Sequence, residues 1–198
     1  MKFSELYTLL SEAPSIINQA EYSSASNRTA FINSPIDKMK SARKIQDIEL
    51  FGDSFEVYAT HLQGNWTKYF FLKNKEKMAM YSGMELDHGI ITMMVESKYK
   101  AYPGKSLMFE IYTKFLLDKY DFVISDSGMT DAGFNFWYYN FDKFKQLGYE
   151  VRIGILQMNM TEFEDHGEIK TKEGLKEFYS DSAGRYRFML TKRKLIDK

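Results

Sequence analysis

The spacing of apolar residues changes near residue 97, and the two patterns predict different elements. Before that point, short apolar stretches are separated by turn signals such as Gly52-Asp53-Ser54 and Gly64-Asn65. Runs of this kind, bounded by Gly, Asn and Asp, predict strands joined by tight turns. We therefore expect an antiparallel meander of five strands, at 45–51, 55–61, 66–73, 77–85 and 89–97.

Beyond residue 97, helical patterns alternate with strand patterns. Apolar residues recur every three or four positions over 105–120 and again over 131–147, which predicts two helices that each bury one face. Thr130 is the expected N-cap of the second helix, and Gly148 is its expected terminator.

Strand patterns follow each of these helices. The segments 121–125 and 149–158 place Val and Ile at buried positions, and 185–194 alternates basic with apolar residues. The order β, α, β, α, β predicts right-handed crossovers and a partly parallel sheet, in which the last segment pairs with 149–158. Residues 161–181 carry seven acidic residues and three lysines, which predicts a solvated connection with a short helix near 172–179.

The first 35 residues have a different character. Apolar residues at helical spacing predict a short amphipathic helix over 2–12, which Pro14 ends, and the following residues are rich in Ser, Asn and Ala. We interpret 1–35 as an N-terminal helix and arm, and 36–198 as the main domain.

The opening segment MKFSELYTLLSEA also resembles the short leaders of head proteins in large tailed bacteriophages. In those leaders a maturation protease cuts after Glu in a Leu-x-Glu context, which is matched here by Leu10-Ser11-Glu12. The resemblance implies a cleavable leader at 1–12 and a viral protein that is packaged in the virion. The alternative is a helical cap that packs on the main domain.

Composition narrows the classes of function. The 27 basic residues balance the 27 acidic ones among 198, which argues against a dedicated nucleic-acid binder. The absence of cysteine excludes thiol nucleophiles and Cys-ligated zinc, and the three histidines are too scattered for a metal site. No stretch approaches the roughly 20 apolar residues of a membrane span, so we expect no membrane association and a cytoplasmic location, in the host cytoplasm if the protein is viral.

The order of the predicted elements resembles that of the GNAT superfamily of acyl-CoA-dependent N-acyltransferases. The resemblance is carried by residues 89–151, in the segments GIITMMVESKYKAYPGKSLMFEIYTKFL, DFVISD and FWYYNFDKFKQLGYEV. Leu147-Gly148-Tyr149 matches a Leu-Gly-aromatic signature of that family. The resemblance implies an α/β (α+β) fold, with a mixed and centrally splayed sheet of about seven strands flanked by helices. It also implies acetyl-CoA as the acyl donor.

The implied cofactor site lies between the strand at 89–97 and the following helix. A Gly-containing loop at a helix start lets backbone N–H groups approach a phosphate, and Lys98, Lys100 and Lys105 add positive charge there. The resemblance implies that backbone groups near Met94 or Val95 hold the thioester carbonyl. The expected contacts to the pyrophosphate and the 3′-phosphate are Lys100, Pro103, Gly104, Lys105 and Ser106.

Two features depart from the family pattern. The loop from Lys100 to Gly104 is one residue longer than usual, and Ser106 replaces a second small residue. The position of the usual general acid, a Tyr, is Phe144, which has no proton to give. Candidate substitutes are Tyr138, Tyr139 and Tyr149, although aromatic residues are so dense over 134–149 that core packing is the competing interpretation.

Acyl transfer to an amine also needs a general base. Asp126 follows a predicted parallel strand, and ligands collect at the carboxyl ends of such strands, so it is the first candidate. Glu85 and Asp87, just ahead of the strand at 89–97, are the others. A turn with a capping Asp is the competing interpretation of Ser125 to Gly128.

Three hypotheses follow. The first is a GNAT-like N-acyltransferase that moves an acetyl group from acetyl-CoA directly to a small-molecule or protein amine, with Asp126, Glu85 and Tyr139 as catalytic candidates. The second is a catalytically degenerate GNAT-fold protein that binds a phage capsid or host protein. The third is nucleic-acid modification, for which the basic strand at 185–194 is the support.

Overall fold

A single mixed sheet organises the protein. The computed structural model describes residues 42–61, 64–97, 105–126, 131–157, 162–180 and 186–192. These residues form nine strands in the spatial order β1-β2-β3-β4-β5-β6-β9-β7-β8, together with three helices. The fold is therefore of the mixed α+β class, with a sheet that is mostly antiparallel.

The element bounds follow the apolar pattern closely. The strands are Arg43–Leu50, Asp53–His61, Trp66–Lys73, Glu76–Glu85, Gly89–Ser97, Phe122–Ile124, Tyr149–Leu156, Phe163–Glu168 and Tyr186–Lys192, numbered β1 to β9. Helix α1 is continuous through Leu107–Ile111, a π-turn at Tyr112–Leu116, and Leu117–Lys119. Helices α2 and α3 are Asp131–Gln146 and Lys172–Ser180.

The predicted meander and the partly parallel sheet are confirmed. Strands β1 to β5 pair in sequence as antiparallel neighbours, and β5 pairs with β6 in parallel. Strand β9 lies between β6 and β7 and is antiparallel to both, so the expected pairing of the last strand with β7 is also confirmed.

The parallel pairing of β5 with β6 is short. It joins only Gly89 to Phe122, Ile90 to Val123, and Ile91 to Ile124. At its first step the two strands approach so closely that a Cβ on Gly89 would lie 2.0 Å from the Phe122 ring. Any larger residue at this position would have to displace that ring.

All three described helices contribute to one core, which covers one face of the sheet. Leu107, Ile111 and Phe115 of α1 are buried there, and so is Leu175 of α3. Helix α2 buries four aromatic residues in the same core, namely Phe134, Trp137, Phe141 and Phe144. Two right-handed crossovers that proceed in the same direction along a sheet place their helices on the same face, which accounts for this arrangement.

Two further sequence predictions can be compared with the structure. Helix α2 ends at Gln146, and Gly148 follows with a φ of +83°, so the predicted left-handed terminator is confirmed. The predicted N-terminal arm at 1–35, the leader at 1–12 and the N-cap Thr130 lie outside the described residues.

The prediction of about seven strands is too low. Strand β8, at Phe163–Glu168, lies in the acidic segment that was interpreted as a solvated connection, and it pairs with β7 at the edge of the sheet. An edge strand can expose both of its faces, so its residues need no apolar alternation. At the other edge, β1 is bulged between Lys44 and Gln46 and most of its residues are exposed.

We predict that Gly89→Ala lowers the free energy of unfolding by about 1–3 kcal/mol, because the added methyl collides with the Phe122 ring. Urea unfolding followed by circular dichroism measures the change. Gly174→Ala is the matched control: Gly174 lies in helix α3, where an added Cβ meets Ile169 at 3.2 Å and alanine is the better helix former. Equal effects of the two substitutions would contradict the β5–β6 register.

Candidate functional site

Strand β5 separates from β6 at the point where its own backbone becomes irregular. The pairing with β4 shifts from Gly83 with Thr92 to Ser82 with Met94, which leaves Met93 as a bulged residue. Bulges of this kind bend a strand and are common beside active sites. Among the described residues, β5 pairs with β6 no further than Ile91, and we call the gap in strand pairing beyond this point the cleft.

Three buried hydroxyl groups line up on the helix-covered face beside this cleft. The Thr92 hydroxyl lies 3.0 Å from the Tyr81 hydroxyl and 2.9 Å from the Tyr112 hydroxyl. Tyr81 comes from β4, Thr92 from β5, and Tyr112 is the first residue of the π-turn of α1. We call these three side chains the hydroxyl chain. It connects three elements where the sheet opens.

Asp126 lies at the carboxyl end of β6, on the same side of the short parallel pairing as the cleft. It is only 4% exposed. The preceding residue, Ser125, is fixed against β9: its N–H donates to the Phe188 carbonyl at 2.7 Å, and its hydroxyl accepts from the Phe188 N–H at 2.9 Å. Strand β6 is thus held to β9 at the level where β5 has already separated from it.

The electrostatics link Asp126 to the hydroxyl chain. Burial raises the pKa of the Tyr112 hydroxyl, and the negative charge of Asp126 raises it further. Burial is also the main reason why the pKa of Tyr81 is raised, and Asp126 is among the other charges that raise it. Both phenols therefore stay protonated at neutral pH, so each can donate a hydrogen bond.

The predicted cofactor residues fall into three groups. Met94 and Val95 lie on β5 just beyond the bulge and are half-buried. The Ser106 hydroxyl accepts a hydrogen bond of 3.2 Å from the Phe109 N–H and so caps helix α1, and Lys105 is exposed with its ammonium 5.2 Å from the centre of the Phe51 ring. Lys100, Pro103 and Gly104 lie outside the described residues.

Glu85 lies at the opposite end of β5 from Met94 and Val95, because it pairs with Ile90. Its carboxylate accepts hydrogen bonds from Tyr120 at 2.5 Å and Tyr69 at 3.2 Å, and it lies 3.6 Å from the Lys119 ammonium. The two tyrosine hydroxyls are 2.6 Å apart. The structure therefore places Glu85 in a polar network of its own, away from Asp126.

Contacts within that network control the charge of Glu85. Burial acts to raise the pKa of its carboxyl, but the hydrogen bond from Tyr120 and the charge of Lys119 outweigh burial, so the pKa lies below its usual value. Burial and the Glu85 carboxylate raise the pKa of the Tyr120 hydroxyl. A carboxylate held ionised by these donors stabilises the folded state.

The tyrosine candidates for the general acid lie in three different surroundings. Tyr139 is 63% exposed and its ring is 5.6 Å from the Lys172 ammonium of α3. The Tyr149 hydroxyl donates to the Thr113 carbonyl at 3.3 Å. Tyr138 packs on the Phe134 ring at 5.7 Å. Phe144 is fully buried beside Phe109, Phe136 and Trp137.

Sequence reasoning did not find the hydroxyl chain. The available signals were Thr92, as the one hydroxyl residue in the apolar run GIITMMV, and Tyr112, on the apolar face of a helix. Neither signal identifies its partners, because Thr92 is 11 residues from Tyr81 and 20 residues from Tyr112.

The described residues contain neither a metal-binding cluster nor a membrane-spanning helix. No group of three or more His, Asp or Glu side chains in this part of the chain is placed to hold a metal ion. None of the helices that the structure describes is long and apolar enough to cross a bilayer.

The fold and cleft define a mixed α+β protein whose sheet is opened at its parallel step. Comparison of the chain with protein-family models, with curated proteins and with solved structures finds no match.

We predict that Glu85→Gln lowers the free energy of unfolding by about 1 kcal/mol at neutral pH, because the ionised acceptor of the Tyr120 hydroxyl is lost. The pKa of Glu85 is lower in the folded state than in the unfolded chain, where it is about 4.3. Its contribution is therefore complete above that value and is lost as the pH falls through the folded pKa.

Urea unfolding of both proteins at about pH 7 and about pH 3 measures this effect. The difference between wild type and variant should shrink at the lower pH. Glu49→Gln, at an exposed position of the edge strand β1, is the control and should have little effect at either pH. A Glu85→Gln effect that is equally large at both pH values would contradict the assignment.

Proposed function

We propose that this protein is a GNAT-like N-acyltransferase that binds an acyl-CoA, with acetyl-CoA as the donor, in the cleft between β5 and β6. The observation that carries the proposal is the edge of β5 beyond Ile91, which lies inside the sheet and has no described neighbour on its β6 side. The acceptor is an amine of a small molecule or a protein.

The sheet order supports the family resemblance. An antiparallel meander leads into one parallel pair, and the last strand lies between the two strands that precede and follow α2. The order of these elements along the chain is the order that the sequence resemblance implies, here with the additional edge strand β8. The proposal is compatible with nine strands, because the extra strands lie away from the cleft.

The edge of β5 fits an extended ligand that carries amide groups. An unpaired strand edge presents N–H and C=O groups to any chain that can add as another strand. The pantetheine arm of coenzyme A contains two amides and has this character. Met93, Met94 and Val95 are half-buried, whereas Ile90, Ile91 and Thr92 are buried, so the accessible part of the strand starts at the bulge.

The polar groups around the cleft suit direct acyl transfer. An amine nitrogen would attack the thioester carbonyl carbon, and the C–S bond would break with its electron pair passing to sulfur. Of the two protons that the ammonium group loses, one passes to the Asp126 carboxylate and the other ends on the thiolate. Backbone N–H groups near Met94 or Val95 would stabilise the carbonyl oxygen as it gains charge.

The phosphate end of the ligand would extend toward the start of α1. Lys105 is exposed there and contributes a positive charge, and the amino-terminal end of the helix adds a partial positive charge. The remaining phosphate contacts are proposed from the sequence of residues 98–104 alone.

One observation favours a second candidate function. Phe144 occupies the family's usual acid position and is fully buried among aromatic rings, so this position supplies neither a proton nor access to the cleft. A GNAT-like protein that binds acyl-CoA or a partner protein without turnover would have this property. The phage capsid or host protein considered from the sequence would be such a partner.

We predict that acetyl-CoA binds in isothermal titration calorimetry, and that incubation with an amine panel releases free CoA. Asp126→Asn should leave binding intact and reduce transfer by about 100-fold or more, because the base is lost. Asp121→Asn is the control, since Asp121 lies at the opposite end of β6, half-exposed near His88, and should change neither quantity.

The possible results separate the two functions. Binding without CoA release with any amine supports the binding protein. No acetyl-CoA binding contradicts both the acyltransferase and an acyl-CoA-binding role. Full activity of Asp126→Asn would contradict the assignment of the base.

A further inference from the structure

Thr92 is the central member of the hydroxyl chain. Its hydroxyl is the only one of the three that contacts both of the others, and its side chain is 3% exposed. The two tyrosine rings meet edge to face, with their centres 6.0 Å apart, so they close around Thr92 from β4 and from α1. The threonine is thus held from two directions.

The hydroxyl chain has one proton more than it has internal hydrogen bonds. Three hydroxyl groups carry three protons, and the two hydrogen bonds between them use two. No other hydrogen bond to these hydroxyls is present among the described residues. The nearby negative charge of Asp126 favours orientations in which the third proton points toward it.

Thr92 also lies where the β5 backbone changes from regular to irregular pairing. It is the last residue of β5 before the bulged Met93, and it directly follows the last residue that pairs with β6. Between Thr92 and the amides of Met94 and Val95, the backbone can rotate only about two dihedral angles per residue. Fixing Thr92 therefore limits the directions in which those amides can point.

We propose that Thr92 is the positioning residue of the cleft: its hydroxyl, held by Tyr81 and Tyr112, fixes the bulge of β5 and thereby aims the backbone amides that bind the ligand. The identity of that ligand as an acyl-CoA rests on the proposed function. The positioning of the β5 amides by Thr92 does not depend on that function.

The test compares substitutions that differ only in the hydroxyl group. Thr92→Val keeps the shape of the side chain and removes both hydrogen bonds, whereas Thr92→Ser keeps the hydroxyl. Thr191→Val is the matched control, because Thr191 is equally buried, lies on β9 and donates to the Asp121 carbonyl at 3.2 Å. Backbone hydrogen exchange of residues 92–95 and calorimetric affinity for acetyl-CoA are measured on the full chain.

Thr92→Val should increase exchange at 92–95 by about tenfold relative to Thr191→Val, and should weaken acetyl-CoA binding by about tenfold. Thr92→Ser should restore both quantities to near the wild-type values. If Thr92→Val does not fold, Tyr112→Phe removes one of the two hydrogen bonds and should show a smaller change of the same kind.

Equal exchange and equal affinity in Thr92→Val and Thr191→Val would overturn the inference. The inference would also be overturned if Thr92→Ser did not restore the exchange rate and the acetyl-CoA affinity to near the wild-type values. A wild-type protein that does not bind acetyl-CoA would overturn the proposed function alone, because the exchange comparison still decides whether Thr92 fixes the bulge.

Discussion

Three residues of parallel pairing hold the two halves of the sheet together. Strands β1 to β5 lie on one side of this step, and β6, β9, β7 and β8 lie on the other. Two features stop the pairing from continuing. The bulge at Met93 bends β5, and the hydrogen bonds of Ser125 hold β6 to Phe188 of β9. If the pairing ran the full length of β5, its amides would be satisfied by β6 and the cleft would not exist.

The same step accounts for the distribution of polar groups in the core. Hydroxyl and carboxyl groups are buried on both sides of the three-residue ladder, with the hydroxyl chain at its carboxyl end and the Glu85 network at its amino end. Tyr69 joins the two, since its hydroxyl belongs to the Glu85 network and its ring stacks on Tyr81 at 6.4 Å. Buried polar groups are costly unless they are paired, so each network constrains the elements that meet there.

Local sequence patterns predicted most elements of this fold and the pairing of its strands well, and the contacts between side chains of different elements poorly. Helices α1 and α2 bury one continuous apolar stripe each, so a single period identifies them. Strand β8 has no such stripe, because it is a solvated edge and its sequence FEDHGE is typical of a loop. Asp126 could be chosen from sequence because it follows a buried strand, whereas the significance of Thr92 depends on two tyrosines from other elements.

The aromatic residues of α2 also show what local sequence patterns do not determine. Their density over 134–149 left open whether each ring packs in the core or lines a pocket, and the structure places Phe134, Trp137, Phe141 and Phe144 in the core. Tyr139, on the same helix, faces outward instead. Which of the adjacent residues points inward depends on the angle at which the helix lies on β7 and β9, and local periodicity does not specify that angle.

The bulge in the edge strand β1 has a consequence for how copies of this protein meet in solution. An open sheet presents a ladder of amide and carbonyl groups along each outer strand, and another molecule can extend it. In β1 the irregular spacing at Ile45 interrupts that ladder, and Lys44 and Asp47 would lose hydration if a strand docked there. At the other edge, β8 carries the exposed charged residues Glu164 and Asp165, which would lose hydration if a strand docked there. Both outer strands thus carry features that natural sheets use against edge-to-edge association.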